Sequence, residues 1–525
     1  MHFGALSPDV IVDSVRRPVT VIYHPTEQRV GLAMGGTLQR DAPPDDGMGF
    51  PVLSTLGPLY PEWLGDRAFL ETHGLRFPYM GGSMARGIAT TDLVVALGKM
   101  GALGMFGAAG LAPAAVDAAI QWMASALDPL GLPWGCNLIH SPNEAGLENE
   151  LVELFLQRGV RRVEASAFMR LTPAVVRYAC SGLQRGPDGR ILRSNHLFAK
   201  VSREEVARPF LSPAPEALLS RLLSAGQLTP EEVDLAREVP LSQQIIVESD
   251  SGGHTDNRPL TALFPVIARL RDDLVQEFGY RDPVHLGAAG GLGTPEALAA
   301  AYGLGAAFVV MGSVHQGALE SGVSQDSREL LAQAGPADVA MTASADMFEM
   351  GVKVQVLTRG TMMAVRGNHL YDLYRRYPSL EAIPPEIRAK LEKDLFRKPL
   401  DEVWTETEHF FTKADPEQLA RAEKDPKHKL ALVCRWYVGN SSRWPIKGEL
   451  DRQADYQLWC GPAMGAFNRW VQGTFLEPAA TRSVQQIGLN LLEGAAVVTR
   501  AHQYRSYGLE VPGQAYHYTP EKLSA

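Results

Sequence analysis

The feature that most constrains the fold is a regular alternation of short apolar runs with helix-forming segments, which begins at Phe77. The segments between the runs are amphipathic or rich in alanine, as in TTDLVVALGKM and TPEALAAAYGLG. This alternation predicts right-handed βαβ units and a parallel sheet. Because there are eight units, the pattern favours a closed (β/α)₈ barrel, the TIM-barrel fold, over an open doubly wound sheet. The predicted strands are 77–82, 103–110, 133–140, 161–168, 196–202, 243–249, 283–291 and 306–313.

Three regions depart from this rhythm and predict the domain organisation. Residues 1–60 form a leader, in which PVTVIYHPTEQRVGLAM predicts a small hairpin and a Pro- and Gly-rich connector follows. The barrel is expected over 61–365, with a helical insertion after the fifth strand at about 213–240. In that insertion Thr229 is expected to cap a helix that begins at Pro230. Residues 366–525 are charged and helix-forming, and predict a mostly helical C-terminal domain.

Composition excludes several classes of function. The net charge of −9 is spread along the chain without a basic stripe, which argues against nucleic-acid binding. No window of about 18 apolar residues predicts a membrane span. The N-terminal MHFGALSPDVIVDSVRRP does not resemble a signal peptide. Four distant cysteines fit no metal-ligand spacing and predict free, mostly buried thiols in a reducing cytoplasm: Cys136, Cys180, Cys434 and Cys460.

The C-terminal ends of the predicted strands hold the candidate site residues, because barrels of this type place their chemistry there. Most are glycines or small polar residues, and one is a lysine. In strand order they are Gly81, Gly82, Ser83 and Met84 (first), Asn137 (third), Lys200 (fifth), His254 (sixth), Gly290 and Gly291 (seventh), and Gly312 and Ser313 (eighth).

Glycine-rich turns at the seventh and eighth strand ends give the clearest pattern. The seventh runs into a helix with Thr294 as N-cap and Pro295 at the first position. Such turns can be tight βα corners, or they can offer backbone N–H groups to a phosphate. Two of them side by side, at the usual phosphate position of the barrel, favour phosphate. GLG lacks the spacing of a dinucleotide fingerprint, and no P-loop occurs. A phosphate at the seventh and eighth strand ends, with the glycine turn at the first, leaves the barrel mouth free for a flat ring, and a phosphorylated flavin fits that space.

The stretch IIVESDSGGHTDNRP holds the candidate catalytic residue, His254. It can be a tight turn with a surface histidine, or a site where Gly253 lets a flavin ring come close and the imidazole supplies a proton. Lys200 can stabilise negative charge on a reduced flavin or pair with a structural carboxylate, and both alternatives stay open. The aromatic cluster around Trp459 and Phe467 is more typical of core than of an active-site roof.

Several of these motifs together resemble a known group of proteins. The order MGGSMARG, LGMFGAAGL, GCNL, ESDSGGH, GAAGGLGT, VVMGS is similar to the nitronate monooxygenase (2-nitropropane dioxygenase) superfamily of FMN barrels. More narrowly, SADMFEMGVKVQVLTRGTMMAVR, RWYVGNSSRW and DYQLWCGPAMGAFNRWVQGTFLE resemble the PfaD family. That family comprises trans-acting enoyl reductases of polyunsaturated fatty acid and polyketide synthases. The resemblance spans about residues 60 to 500.

The resemblance implies a function and an assignment of the site. It implies FMN as cofactor, NADPH (or NADH) as electron donor, an enoyl thioester on an acyl carrier protein domain as substrate, and His254 as the catalytic residue. The resemblance does not decide whether the protein forms a homodimer. Two alternatives remain: a nitronate monooxygenase-type flavin enzyme and a non-catalytic FMN-binding synthase subunit. The chain departs from the superfamily loop Glu-Ala-Gly-Gly-His by having Asp250 and Ser251. The resemblance implies that the residues around FMN are Gly81, Gly82, Ser83, Met84, Asn137, Gly290, Gly291, Gly312 and Ser313. Lys200 and Gly253 are added to this predicted cofactor site because of their positions at the ends of the fifth and sixth strands.

Overall fold

A computed structural model of the chain describes residues 1–40, 49–140 and 145–524, so part of the predicted connector lies outside the described residues. In chain order the strands are β1 (Val19–His24), β2 (Arg29–Ala33), β3 (Val52–Leu56), β4 (Tyr79–Gly81), β5 (Leu103–Phe106), β6 (Gly135–Ile139), β7 (Arg162–Ser166), β8 (Gln184–Arg185), β9 (Ile191–Leu192), β10 (His196–Val201), β11 (Gln244–Glu248), β12 (Gly253–His254), β13 (His285–Ala289), β14 (Phe308–Met311), β15 (Val339–Ala343) and β16 (Lys353–Leu357).

Eight of these strands close into a parallel barrel in the order β4-β5-β6-β7-β10-β11-β13-β14. Each lies inside one of the eight predicted segments, so the predicted barrel is confirmed. The prediction succeeds because barrel strands are buried on both faces and therefore form continuous apolar runs. In β11, for example, Ile245, Ile246 and Val247 are all fully buried.

The α-helices in chain order are α1 (Pro8–Val15), α2 (Arg67–His73), α3 (Thr91–Met100), α4 (Pro113–Leu127), α5 (Ala145–Gln157), α6 (Pro173–Cys180), α7 (Glu204–Leu211), α8 (Glu216–Ser224), α9 (Pro230–Ala236), α10 (Leu260–Phe278), α11 (Pro295–Gly303), α12 (Ser313–Gln316), α13 (Gln325–Ala332), α14 (Met363–Arg376), α15 (Pro385–Leu391), α16 (Leu400–Ala414), α17 (Pro416–Lys424), α18 (Pro426–Ser441), α19 (Trp444–Lys447), α20 (Pro462–Trp470) and α21 (Val484–Ser506). Short 3₁₀ turns cover Pro61–Trp63, Asp128–Leu130, Leu450–Asp455, Ala479–Thr481 and Gly513–Tyr516, and a π-helical turn covers Glu392–Phe396. Among the described helices, none combines the length and the apolar character that crossing a membrane requires.

Helix α21 occupies the position of the eighth barrel helix, although it lies far along the chain from β14. It packs against α11 and α3, the helices that follow the seventh and first barrel strands. Its residues Val484, Ile487 and Leu491 are fully buried in the same core as the barrel. The predicted boundary at residue 366 therefore does not coincide with the packing, because the end of the predicted C-terminal domain belongs with the barrel.

Residues 317–483, here called the inserted lobe, lie between the last barrel strand and α21. Much of the lobe shares a core of its own, which includes Phe396, Val403 and Leu430. The fully buried carboxylate of Asp455 ties its elements together. It accepts hydrogen bonds from the Tyr437 hydroxyl at 2.6 Å and from the Arg452 guanidinium at 3.1 Å, and it pairs with Arg366 and Arg397. A buried carboxylate is tolerated only with partners of this kind.

The N-terminal residues pack on the barrel through the same helix. Strands β1 and β2 form the predicted antiparallel hairpin, and β3 pairs with the other edge of β1. Helix α1 contacts α21, and a small core joins Val21 and Leu32 of the hairpin to Ala496 and Tyr504 of α21. The leader thus covers α21 on the side away from the barrel.

Two insertions flank β10. Strands β8 and β9 form a short hairpin before it, at the turn that GPDGRILRSN predicts. Helices α8 and α9 follow it, in the predicted insertion, and α9 begins at Pro230 with Thr229 as its N-cap. The Thr229 hydroxyl accepts a hydrogen bond from the Glu232 backbone N–H at 3.2 Å, and the Glu232 carboxylate accepts one from the Thr229 backbone N–H at 2.8 Å. This reciprocal pair is a capping box.

Replacing Thr229 by Ala is expected to lower the free energy of unfolding by about 1 kcal/mol, because the Glu232 backbone N–H loses its hydrogen-bond acceptor. Urea denaturation followed by circular dichroism measures this change. Thr229→Ser keeps the hydroxyl and should restore nearly all of the loss. Equal losses in both variants would contradict a capping role.

Candidate active site

A cavity of about 1870 Å³ opens over the C-terminal ends of the barrel strands and runs beneath the inserted lobe, between the barrel mouth and helices α16 and α18. Gly81 alone among the predicted site residues does not line it. Gly81 is buried inside β4, where a Cβ would lie 2.3 Å from Leu97 Cδ1, so packing rather than a ligand requires glycine there. The predicted residues that line the cavity are Gly82, Ser83, Met84, Asn137, Lys200, Gly253, His254, Gly290, Gly291, Gly312 and Ser313.

The glycine turns after β13 and β14 form an open shelf at one end of the cavity. Gly290 and Gly291 have φ values of +85° and +70°, which favour glycine. A Cβ at Gly290 would lie 2.6 Å from the Ser249 hydroxyl, so the chain itself requires glycine at that position. At Gly291 and Gly312 a Cβ would meet no atom within 4 Å. Neighbouring protein atoms therefore do not require glycine at Gly312, and its absent side chain leaves room for a ligand.

Two other glycines in these loops serve the contact with the inserted lobe. A Cβ at Gly293 would lie 2.1 Å from the Ala463 carbonyl oxygen, and one at Gly252 would lie 2.8 Å from the Trp459 backbone. The Gly461 N–H also donates a hydrogen bond to the Ser313 hydroxyl at 3.0 Å. The segment that begins at Trp459 is thus seated directly on the barrel mouth.

The side chains of Trp459 and Phe467 lie in different environments. Phe467 is fully buried in the barrel core, as predicted. Trp459 is half-buried: it packs against the core of the inserted lobe and also lines the cavity beside Gly253. No local pattern distinguishes the two residues, because the difference arises from how the lobe docks.

Lys200 lies between two carboxylates at the floor of the cavity. Its Nζ is 3.2 Å from Glu248 Oε1 and 3.6 Å from Glu164 Oε1. Burial alone would lower the pKa of Lys200, but the charges of Glu248 and Glu164 outweigh it and raise this pKa above the ordinary value for lysine. Of the two alternatives for Lys200, the structure shows the pairing with carboxylates.

Glu164 holds several side chains in place at the floor of the cavity. It was not among the site residues predicted from the sequence. The Glu164 side chain is fully buried, and it accepts hydrogen bonds from the Ser83 backbone N–H at 3.0 Å and the Ser83 hydroxyl at 2.7 Å. The Asn137 amide donates to the Glu164 carbonyl oxygen at 3.2 Å and to the Ser166 hydroxyl at 3.0 Å. These bonds fix the turn after β4 against β6 and β7.

The loop that carries His254 is held in place by the inserted lobe. Gly253 and His254 form β12, which pairs antiparallel with Gln355 and Val354 of β16. The Gln355 side-chain amide also donates to Asp250 Oδ1 and to the Ser251 carbonyl oxygen, both at 2.8 Å. His254 is therefore fixed in a short strand, and is not the tip of a flexible turn.

His254 is paired with Asp346, a residue of the inserted lobe that the sequence analysis did not identify. The His254 Nε2 lies 3.4 Å from Asp346 Oδ2, an ion-pair distance without hydrogen-bond geometry. Burial would lower the pKa of His254, but Asp346 and Glu248 raise it above the ordinary value, against a smaller opposing effect of Lys200. The imidazole side chain remains 34% exposed to the cavity. A protonated imidazole with access to a ligand can donate a proton.

A solved structure decides the family. The enoyl reductase domain of MlnA, from the macrolactin biosynthesis cluster of Bacillus amyloliquefaciens, is 36% identical, and the match covers 85% of this chain and 99% of that domain with a TM-score of 0.81. The chain belongs to the PfaD family. It combines a closed parallel barrel of eight strands with a helical C-terminal region, as the sequence predicted.

Two curated relatives extend the comparison. A polyunsaturated fatty acid synthase protein from Thraustochytrium sp. is 47% identical over 467 residues, 87% of this PfaD-family chain and 31% of the relative. Polyketide biosynthesis protein PksE from Bacillus subtilis is 41% identical over 446 residues, 85% of this chain and 58% of the relative. The chain thus spans less than two thirds of the length of either relative.

The inserted lobe matches a different family. Residues 377–456 match the model of the inserted helical domain of [acyl-carrier-protein] S-malonyltransferase. This range lies entirely within the lobe and runs from the end of α14 to the turn before Trp459. In this PfaD-family chain the matching segment therefore covers one side of the cavity over the barrel mouth.

Proposed function

We propose that the chain is an FMN-dependent enoyl reductase, which uses NADPH (or NADH) to reduce the 2,3 double bond of enoyl thioesters on an acyl carrier protein. The single observation that carries the proposal is the pairing of His254 with Asp346 in a cavity that also contains the open shelf at Gly291 and Gly312. The similarity to the enoyl reductase domain of MlnA supports the same reaction class.

The residues present fit FMN. The shelf at Gly291 and Gly312 would hold the phosphate with backbone N–H groups. The backbone of Ser83 and Met84 would lie along one edge of the ring, with Asn137 beneath it. A cavity of about 1870 Å³ exceeds the roughly 300–1,000 Å³ typical of a site for one small ligand, so it has room for a substrate as well.

The chain's own residues provide the proton and hold its donor in position. When bound, FMN supplies the hydride for Cβ of the enoyl thioester. The protonated His254 imidazole donates the proton at Cα, and the raised pKa keeps that proton available near neutral pH. Asp346 positions the imidazole and stabilises its charged form. The lobe segment at Trp459 covers the barrel mouth and restricts the access of water.

Anaerobic turnover with two substrates tests the proposal against the nitronate monooxygenase alternative. Consumption of NADPH that depends on a crotonyl thioester is the expected result. An enzyme that ignores the thioester but oxidises an alkyl nitronate once oxygen is admitted would contradict the proposed reaction. An enzyme inactive with both, yet loaded with FMN, would instead favour a non-catalytic subunit.

Filling the shelf is expected to weaken FMN binding without unfolding the protein. Gly312→Leu places a side chain where a ligand phosphate would lie, so the affinity for FMN should fall at least about tenfold while the melting temperature without FMN changes little. Fluorescence titration with FMN measures the affinity. Gly303→Leu, at the exposed end of α11, is the matched control and should bind FMN as the wild type does. Equal affinity of both variants would place the phosphate elsewhere.

A further inference from the structure

Most of the arginines that line the cavity have a carboxylate partner. Arg203 pairs with Asp256 at 2.5 Å, and Arg435 lies 3.5 Å from Glu349. Arg86 and Arg443 differ from these. Within the described part of the chain, neither guanidinium has an ion pair or a side-chain hydrogen bond, although both line the cavity.

Arg86 is held toward the cavity by a constrained backbone. It has a φ of +59°, a conformation that costs a non-glycine residue about 1–3 kcal/mol. The loop is anchored by hydrogen bonds from the Arg86 N–H to the Ala109 carbonyl at 2.7 Å and from the Gly87 N–H to the Gly107 carbonyl at 2.9 Å. Gly110 makes room for the side chain, since a Cβ there would lie 3.3 Å from Arg86 Cγ. Strain of this kind is typical of functional positions.

Arg443 approaches from the inserted lobe. It is exposed, lies at the junction of α18 and α19, and places its guanidinium 5.6 Å from the centre of the Phe410 ring. The pKa of Arg86 is lowered to about 10, mainly by burial and also by the charge of Arg443, while the charge of Asp346 opposes both effects. Arg86 from the barrel and Arg443 from the lobe thus line one cavity together with Asp346, the partner of His254, and their like charges oppose each other.

We propose that Arg86 and Arg443 form a phosphate subsite, which binds a phosphate group of a substrate while the shelf at Gly291 and Gly312 holds that of FMN. Two guanidinium groups without carboxylate partners suit an anion with several oxygens, and binding it would relieve their mutual repulsion. The inference rests on the proposed function. Two substrates carry a suitable phosphate: the phosphopantetheine arm of a carrier protein and the ribose 2′-phosphate of NADPH.

Calorimetric titration of FMN-saturated protein tests the subsite without turnover. The probes are 4′-phosphopantetheine, with pantetheine as its phosphate-free control, and 2′-AMP, with adenosine as its control. The wild type should bind one phosphate probe at least about tenfold more tightly than its control. Arg86→Gly, which also relieves the backbone strain, and Arg443→Gln, at an exposed position, should each remove that preference. Arg203→Gln should retain it.

Each outcome decides the inference. A preference for phosphopantetheine that both variants lose assigns the subsite to the carrier arm, and the same result with 2′-AMP assigns it to the electron donor. If the wild type prefers neither phosphate probe, or the variants keep the preference, the subsite is refuted. Failure of the proposed function is distinguishable, because it appears as absent turnover of enoyl thioesters and leaves these affinities unchanged.

Discussion

Replacing His254 by Gln is expected to slow enoyl reduction by about 10²- to 10⁴-fold while FMN stays bound, because the variant lacks the proton donor. Glutamine fits the site without titrating, and β12 should stay paired with β16, since those bonds involve the backbone and Gln355. The rate with a crotonyl thioester and the flavin absorbance of the same sample measure the two effects separately. An unchanged rate would remove His254 from the mechanism.

A second variant, Asp346→Asn, is expected to change how the activity depends on pH. If the protonated imidazole is the active form, activity falls as the pH rises through the pKa of His254. Asp346 raises that pKa, so its removal should move the fall in activity to lower pH. The bound flavin should be unaffected. A pH profile identical to that of the wild type would show that Asp346 does not act on His254.

Replacing Lys200 by Met is expected to destabilise the protein by about 3–5 kcal/mol, because it leaves the buried Glu164 and the neighbouring Glu248 without their shared cation. Urea denaturation monitored by tryptophan fluorescence measures the loss. The same change should weaken FMN binding, because Glu164 positions the turn at Ser83.

The double variant Lys200→Met/Glu248→Gln separates charge from packing. It keeps the methionine but removes one of the two unpaired carboxylates, so it should regain a substantial part of the lost stability. If the double variant is no more stable than Lys200→Met, the loss comes from packing and the charge network is not what holds Lys200.

The barrel was predictable from sequence because its signal is local. Each strand is a short apolar run, and each of the first seven is followed by its own helix within a few tens of residues. The position of α21 was not predictable in this way. Its contacts with α3 and α11 join segments separated by the whole inserted lobe, and no periodicity along the chain encodes such a distance.

Except for Gly81, the site residues predicted at the strand ends line the cavity. Glu164 and Glu248 were missed although each is an acid in or at the end of an apolar strand, a pattern that indicates a functional or paired charge. Asp346 and Trp459 had no comparable signal, because they reach the cavity only when the inserted lobe docks on the barrel. The same docking pairs Gly253 and His254 with β16, which the sequence of the glycine-rich loop did not predict.

The most direct test of the account is the anaerobic absorption spectrum of the purified, FMN-loaded protein. The flavin absorbance should disappear when NADPH is added and return when a crotonyl thioester follows, with oxygen excluded throughout. A protein that cannot take up FMN would contradict the account, as would a reduced flavin whose colour returns only when oxygen is admitted.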